Sequence, residues 1–215
     1  MLYKILLVLF GFCFTPCFSQ VEKCNLESTY FEDLKRVDAD AVKCLAKNSE
    51  KPNTLFFVFA RWCEPCMWHL PTFMSIEKEY DVNLYVILID LENSQMTELA
   101  KDYVWERYPS AKIVVLKDFP KRGKGKKYKD FINSITPPRF EKIDDMSKYF
   151  VLDNEGDVVL VTSWKDSKGD PDWKDDRPMV KRLVLPLLQK KNGKLVNVQS
   201  LFSTIKTIKF NSKDP

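Results

Sequence analysis

The chain of 215 residues holds a single histidine, His69, and only six glycines. One histidine excludes a multi-histidine metal centre within one chain. So little glycine argues against a Gly-rich all-β chain. An excess of one charge is also lacking. The net charge is +4, too mild to imply nucleic acid, and no nucleic-acid partner is expected. There is no internal repeat. The apolar stretch near the N-terminus, Ile5 to Phe14, is too short to span a bilayer comfortably. What is present is ordinary for a globular chain: 45% hydrophobic and 30% charged residues, enough for one domain with a sizeable core.

Residues 1–19 read as a targeting segment rather than as part of the domain. Lys4 supplies a positive start, Ile5 to Phe14 an apolar core and Pro16 a break. Cys17-Phe18-Ser19 offers small residues for cleavage before Gln20. A cleaved signal is expected, with an uncleaved anchor or lipidation at Cys17 as alternatives. The localisation implied is periplasmic or secreted. Export to an oxidising compartment changes the cysteine arithmetic. Cys13 and Cys17 leave with the signal, whereas Cys24, Cys44, Cys63 and Cys66 remain. The simplest pairing is Cys63 with Cys66 and Cys24 with Cys44. The alternative for Cys24 and Cys44 is that they are unpaired or pair with another molecule.

The chain is organised around residues 55–80. Leu55 to Ala60 is a continuous apolar run, the pattern of a central strand buried on both faces. Trp62 and Cys63 follow at once, then Cys66, with Pro71 five residues beyond. Cys66, Leu70, Phe73, Ile76 and Tyr80 recur on one helical stripe, and Pro71 lies inside it. Asn83 to Asp90 reads as a second buried strand, and Ser94 to Tyr108 as a helix. Upstream, Phe31, Leu34, Val37, Ala41 and Leu45 predict a helix from Asn25 to Asn48, with Asp38 a point where it splits. The alternation of helix and strand implies an α/β fold with a parallel pair at its centre. The domain is expected over residues 20–215, with its core at about 41–191 and a C-terminal extension over 192–215.

Ala111 to Lys117 is a short apolar segment of unassigned role. Residues 117–129 are dense in Lys and Arg and read as a solvated loop, with a docking surface for an acidic partner or anionic headgroups as the functional alternative. Tyr149 to Asp153, a turn through Gly156, and Asp157 to Thr162 predict a β-hairpin. Trp164 to Pro178 is a polar, turn-rich loop whose carboxylates lack the spacing of a calcium site. Met179 to Gln189 reads as helical, with Pro186 inside.

A strand that delivers two cysteines to the first turn of a helix is a redox device more often than anything else. Helix N-terminal amides stabilise a Cys63 thiolate, and a thiolate is what attacks a disulfide. Cys66, one turn on, resolves the mixed disulfide. Pro65 keeps the turn rigid, and Trp62 offers a flat apolar lip. No second C-x-x-C and no histidine pair completes a zinc site, so no metal is expected. Glu64 beside Cys63 disfavours the thiolate and makes the pair more reducing, unless it faces solvent with little effect. His69 reads as a surface or packing residue rather than an acid–base partner.

The run Trp62-Cys63-Glu64-Pro65-Cys66, the strand before it and Pro71 after it resemble the thioredoxin superfamily. The stretch from Phe150 to Val159 looks like the hairpin of the TlpA-type extracytoplasmic members, which include reductases of cytochrome c maturation. The resemblance implies a thioredoxin-like α/β fold, a central mixed β-sheet flanked by helices, here with a basic insertion and a C-terminal extension. It implies thiol–disulfide exchange on a disulfide-containing protein substrate, most simply as a reductase. A membrane thiol donor would re-reduce the pair, and no bound cofactor is needed. The alternatives are a disulfide oxidase or isomerase using the same pair, and a redox-inert binding module of the same fold. Two positions depart from the family pattern. Phe57 stands where many members have a buried Asp or Asn. Ser147, preceded by Met146, stands where the family has a substrate-facing cis-proline, unless Pro137 or Pro138 fills that place.

Overall fold

Seven consecutive residues, Asn53–Phe59, form strand β2, and every one is buried. The computed structural model describes residues 20–30, 33–119 and 123–191. Both the targeting segment, 1–19, and the C-terminal extension, 192–215, lie outside the described residues, as does Phe31. After a short helix α1 (Gln20–Lys23) come β1 (Lys35–Val37), α2 (Ala39–Lys47), β2, α3 (Glu64–Glu79), β3 (Val82–Leu88) and α4 (Gln95–Arg107). They are followed by β4 (Lys112–Leu116), α5 (Lys124–Ile135), β5 (Tyr149–Asp153), β6 (Val158–Val161) and α6 (Arg177–Met179). The strands form one sheet in the order β1-β4-β3-β2-β5-β6. β1, β4, β3 and β2 run parallel, while β5 and β6 are antiparallel, so the sheet is mixed.

Strand alternation sorts the helices onto two faces. Phe56 lies opposite Phe150 across the β2–β5 pair, and Phe150 meets Phe131 of α5 edge-on, ring centres 5.8 Å apart. Phe57 and Phe59 point the other way: Phe57 stacks on Phe73 of α3 at 5.2 Å and Phe59 on Tyr103 of α4 at 5.8 Å. β2 is therefore covered on both sides, which is why it tolerates no polar side chain but Asn53 and Thr54 at its start.

The predicted helix from Asn25 to Asn48 is corrected to an edge strand and a shorter helix. Leu34 and Val37 are fully buried, as the helical pattern required, but Val37 is held beside Leu116 of β4. Asp38 then starts α2, its carboxylate accepting from the Ala41 N–H at 2.9 Å. Cys24 is joined to Cys44 of α2, Cα atoms 5.9 Å apart, so the segment after α1 is pinned to the first full-length helix. The apolar segment from Ala111 to Lys117 supplies β4.

The basic stretch 117–129 is not a solvated loop throughout. Helix α5 begins at Lys124, and Lys127 is buried on the stripe it shares with Phe131 and Ile135. The Trp164–Pro178 stretch contains a 3-10 turn, Trp164–Ser167, closed by reciprocal bonds between Ser163 and Asp166. The helical reading of Met179 to Gln189 resolves into a path that changes pitch: α6, a π-helical turn Val180–Val184, and a 3-10 turn Leu185–Leu187. Pro186 has no N–H to continue an α ladder, which accounts for the change.

Candidate active site

The site forms where β2 ends and α3 begins. The Cys63 N–H bonds the Ala60 carbonyl at 3.1 Å, closing the turn after the strand. Cys63 is the N-cap of α3, and its sulfur accepts the Cys66 N–H at 3.1 Å. Pro65 occupies the first helical turn, where its missing N–H costs nothing. Cys63 and Cys66 are joined in a disulfide, Cα atoms 5.2 Å apart. Cys63 keeps 4% of its surface exposed and Cys66 none, so the outer sulfur is that of Cys63. The Cys66 amide, in the first turn of a 16-residue helix, points at that sulfur and would stabilise negative charge on it. Glu64 is exposed.

Trp62 lies half exposed, and its indole N–H donates to both oxygens of the buried Asp90 at 3.0 and 3.1 Å. The Lys124 ammonium sits 4.5 Å over the Trp62 ring and 3.4 Å from the same carboxylate. Beneath them, buried Lys127 donates to the Asp90 carbonyl at 2.8 Å, the Leu116 carbonyl at 2.9 Å and the Asp118 carboxylate at 2.6 Å. Burial pushes the Lys127 pKa down, against the opposing pull of Asp118, Glu92 and Asp90. Lys127 thus ties the ends of β3 and β4 to α5 below the Trp62 lip. Sequence reasoning missed Asp90 and Lys127. The signal for Lys127 was its spacing of four from Phe131 and eight from Ile135.

No carboxylate comes from position 57. Phe57 lies between Phe73 and Tyr149, ring centres 5.2 and 5.1 Å away, so the layer under α3 is aromatic. A buried acid reaches that layer from elsewhere. The Tyr149 hydroxyl donates to Asp176, which precedes α6 and is 2% exposed. Burial holds the Asp176 carboxyl above its usual range, against the opposing pull of His69, Tyr149 and Thr72. Burial likewise raises the Tyr149 phenol, helped by Asp176.

Met146 and Ser147 precede β5, and Met146 packs partly buried against the core. Ser147 has φ 60°, in the left-handed region. Its neighbours fix it there. The Lys148 carbonyl accepts the Val58 N–H at 3.1 Å, the Lys148 ammonium bonds the Asp145 carboxylate and the Thr162 carbonyl, and the Tyr128 hydroxyl donates to the Asp145 carbonyl at 2.6 Å. Ser147 Oγ lies 2.6 Å from His69 Nδ1. Pro137 instead belongs to the turn after α5, its carbonyl accepting the Phe140 N–H at 3.0 Å. Every peptide bond among the described residues is trans. The structure thus brings Trp62, Cys63, Glu64, Pro65 and Cys66 together at one turn. It ties Ser147 to the same helix through His69, a residue read from sequence only as surface or packing. Cys24 and Cys44 form a separate bridge.

No group of three or more metal-ligating side chains occurs among the described residues, and no described helix is long and apolar enough to cross a membrane. No curated protein matches the sequence. Among solved structures the chain is similar to the reduced N-terminal domain of PilB from N. meningitidis. The identity is 13% and the TM-score 0.40, covering 76% of this chain and 96% of that one, a likeness too distant to bear on activity. The thioredoxin family model matches residues 34–136, from the start of the sheet through the cysteine pair to the end of α5. With the β5–β6 hairpin completing a six-stranded mixed sheet between two layers of helices, the described residues form a domain of thioredoxin fold.

Proposed function

We propose that the protein is an exported thiol–disulfide oxidoreductase that reduces disulfides in protein substrates. The observation that carries this reading is the asymmetry of the pair. Cys63 caps the helix with the outer sulfur, and Cys66 is sealed one turn below it. In the reduced protein the Cys63 thiolate attacks one sulfur of a substrate disulfide. A Cys63–substrate bond forms, the substrate S–S bond breaks, and the departing thiolate takes up a proton. Cys66, deprotonated, then attacks the Cys63 sulfur and expels the second substrate thiol. Two electrons pass to the substrate, and the pair is left as the disulfide. A membrane thiol donor returns the pair to its reduced state by the same exchange. Trp62, Met146 and Ser147 flank the groove in which the substrate chain lies, while Glu64 and Pro65 shape the turn. The leader-like residues 1–19 and the hairpin of β5 and β6 favour the extracytoplasmic, TlpA-type branch. Among the described lysines of α5, those free to dock the donor are Lys126 and Lys129, because Lys127 is buried and Lys124 is engaged with Trp62 and Asp90.

Insulin reduction by wild type and Cys63→Ser tests the reading. Turnover that vanishes with Cys63 is expected, and equal rates would sink it. The reduction potential decides direction: about −270 mV, near thioredoxin, supports a reductase, and about −120 mV supports an oxidase.

A further inference from the structure

His69 lies three residues after Cys66 on α3, so the two side chains share a helical face. Its ring is mostly buried and is held on both sides. Nε2 is 2.8 Å from the Trp173 carbonyl and Nδ1 is 2.6 Å from Ser147 Oγ. A carbonyl can only accept, so Nε2 carries the ring proton. In the neutral ring Nδ1 then has a lone pair, and the Ser147 hydroxyl must donate to it. Asp176 stands 4.0 Å from Nδ1 and accepts from Tyr149, the first residue of β5. Three segments distant in sequence therefore meet on one imidazole: the helix of the cysteine pair, the turn before β5, and the loop 173–176.

We propose that His69 is a positioning residue for the cysteine pair, locking the Ser147 turn against α3 and so fixing the wall along which the substrate chain lies. A proline ring sets such a turn through its own φ. Here the backbone sits at φ 60°, which no proline adopts, and a side-chain bond from α3 holds it instead. With its proton committed to His69, the Ser147 oxygen has only lone pairs to offer, so it accepts an N–H from an incoming peptide. The lock's part in turnover rests on the oxidoreductase reading above.

Two measurements test it. His69 is the only histidine, so nitrogen NMR of histidine-labelled protein reports one ring. The expected result is the Nε2–H tautomer when the ring is neutral, with an Nδ1 signal that moves in Ser147→Gly. An Nδ1–H tautomer, or a signal indifferent to Ser147→Gly, overturns the lock. In insulin reduction, His69→Leu and Ser147→Gly should each raise KM about fivefold, the worth of one ordinary hydrogen bond, with kcat little changed. Because both break the same link, the double variant should be no worse than the worse single one. His69→Asn, which keeps an acceptor near the Nδ1 position, should recover part of the loss. Losses that multiply in the double variant, or that fall on kcat alone, refute the proposal. If His69→Leu does not fold, Ser147→Gly and the tautomer decide. A wild type without Cys63-dependent turnover defeats the oxidoreductase reading instead, and the tautomer still decides the lock.

Discussion

Replacing Ser147 by proline, the residue expected there from the resemblance to the thioredoxin pattern, should damage this protein. Ser147 holds φ 60°, whereas proline is confined near about −65°. The turn cannot rotate to meet it without dropping bonds on both sides. The Lys148 carbonyl is committed to Val58, the Lys148 ammonium to Asp145 and Thr162, and the Asp145 carbonyl to Tyr128. Ser147→Pro should therefore lose at least about 3 kcal/mol of stability. Ser147→Gly is the control. Removing Cβ relieves about 1 kcal/mol of left-handed strain. Losing the hydroxyl's bond to His69 costs about 1 kcal/mol, and the freer unfolded chain costs about 0.5–1 kcal/mol more. The glycine variant should thus lie within about 1 kcal/mol of wild type. Urea unfolding followed by tryptophan fluorescence measures both, provided the m-value is unchanged. A proline variant that unfolds at the wild-type midpoint would refute the reasoning, as would a glycine variant as damaged as the proline one.

Two further outcomes are expected. The Cys24–Cys44 bridge spans 20 residues, so Cys24→Ser with Cys44→Ser should lower unfolding stability by about 3 kcal/mol on the loop-entropy estimate; a loss under about 1 kcal/mol would show that the bridge constrains little. Asp176 has a folded pKa raised by burial, so the folded state binds its proton more tightly than the unfolded state and loses stability as pH rises through that raised value. Asp176→Asn, which can still accept from Tyr149, removes this dependence. Wild-type stability minus that of the variant should fall from the ordinary carboxylate range upward and then level off. Paired urea titrations from pH 4 to 8 check it, with His69, Asp175 and Arg177 as the nearby charges, and a difference that grows with pH contradicts it.

The sequence by itself determined the centre of this protein. The six-residue apolar run before the C-x-x-C reads as a buried strand feeding a helix, and both signals are local: a short run of one polarity, and two cysteines one helical turn apart. The β5–β6 hairpin was legible for the same reason, from two short apolar runs either side of a turn at Gly156, whose φ of 87° suits glycine. Where periodicity was ambiguous, tertiary pairing chose. Leu34 and Val37 fit a helical stripe, but β4 offered Val37 a strand partner, and the chain took it. Lys127 looked like one lysine in a basic run until β3 and β4 presented two carbonyls for it to satisfy. The surroundings of the cysteine pair belong to the same class. Asp90, Ser147, Trp173 and Asp176 come to Trp62 and His69 from 28 to 107 positions along the chain, and no local pattern encodes such a meeting. Short-range chemistry was written in the order of residues. The surroundings of the cysteine pair were decided by which strand ends and loops the folded sheet brought beside it.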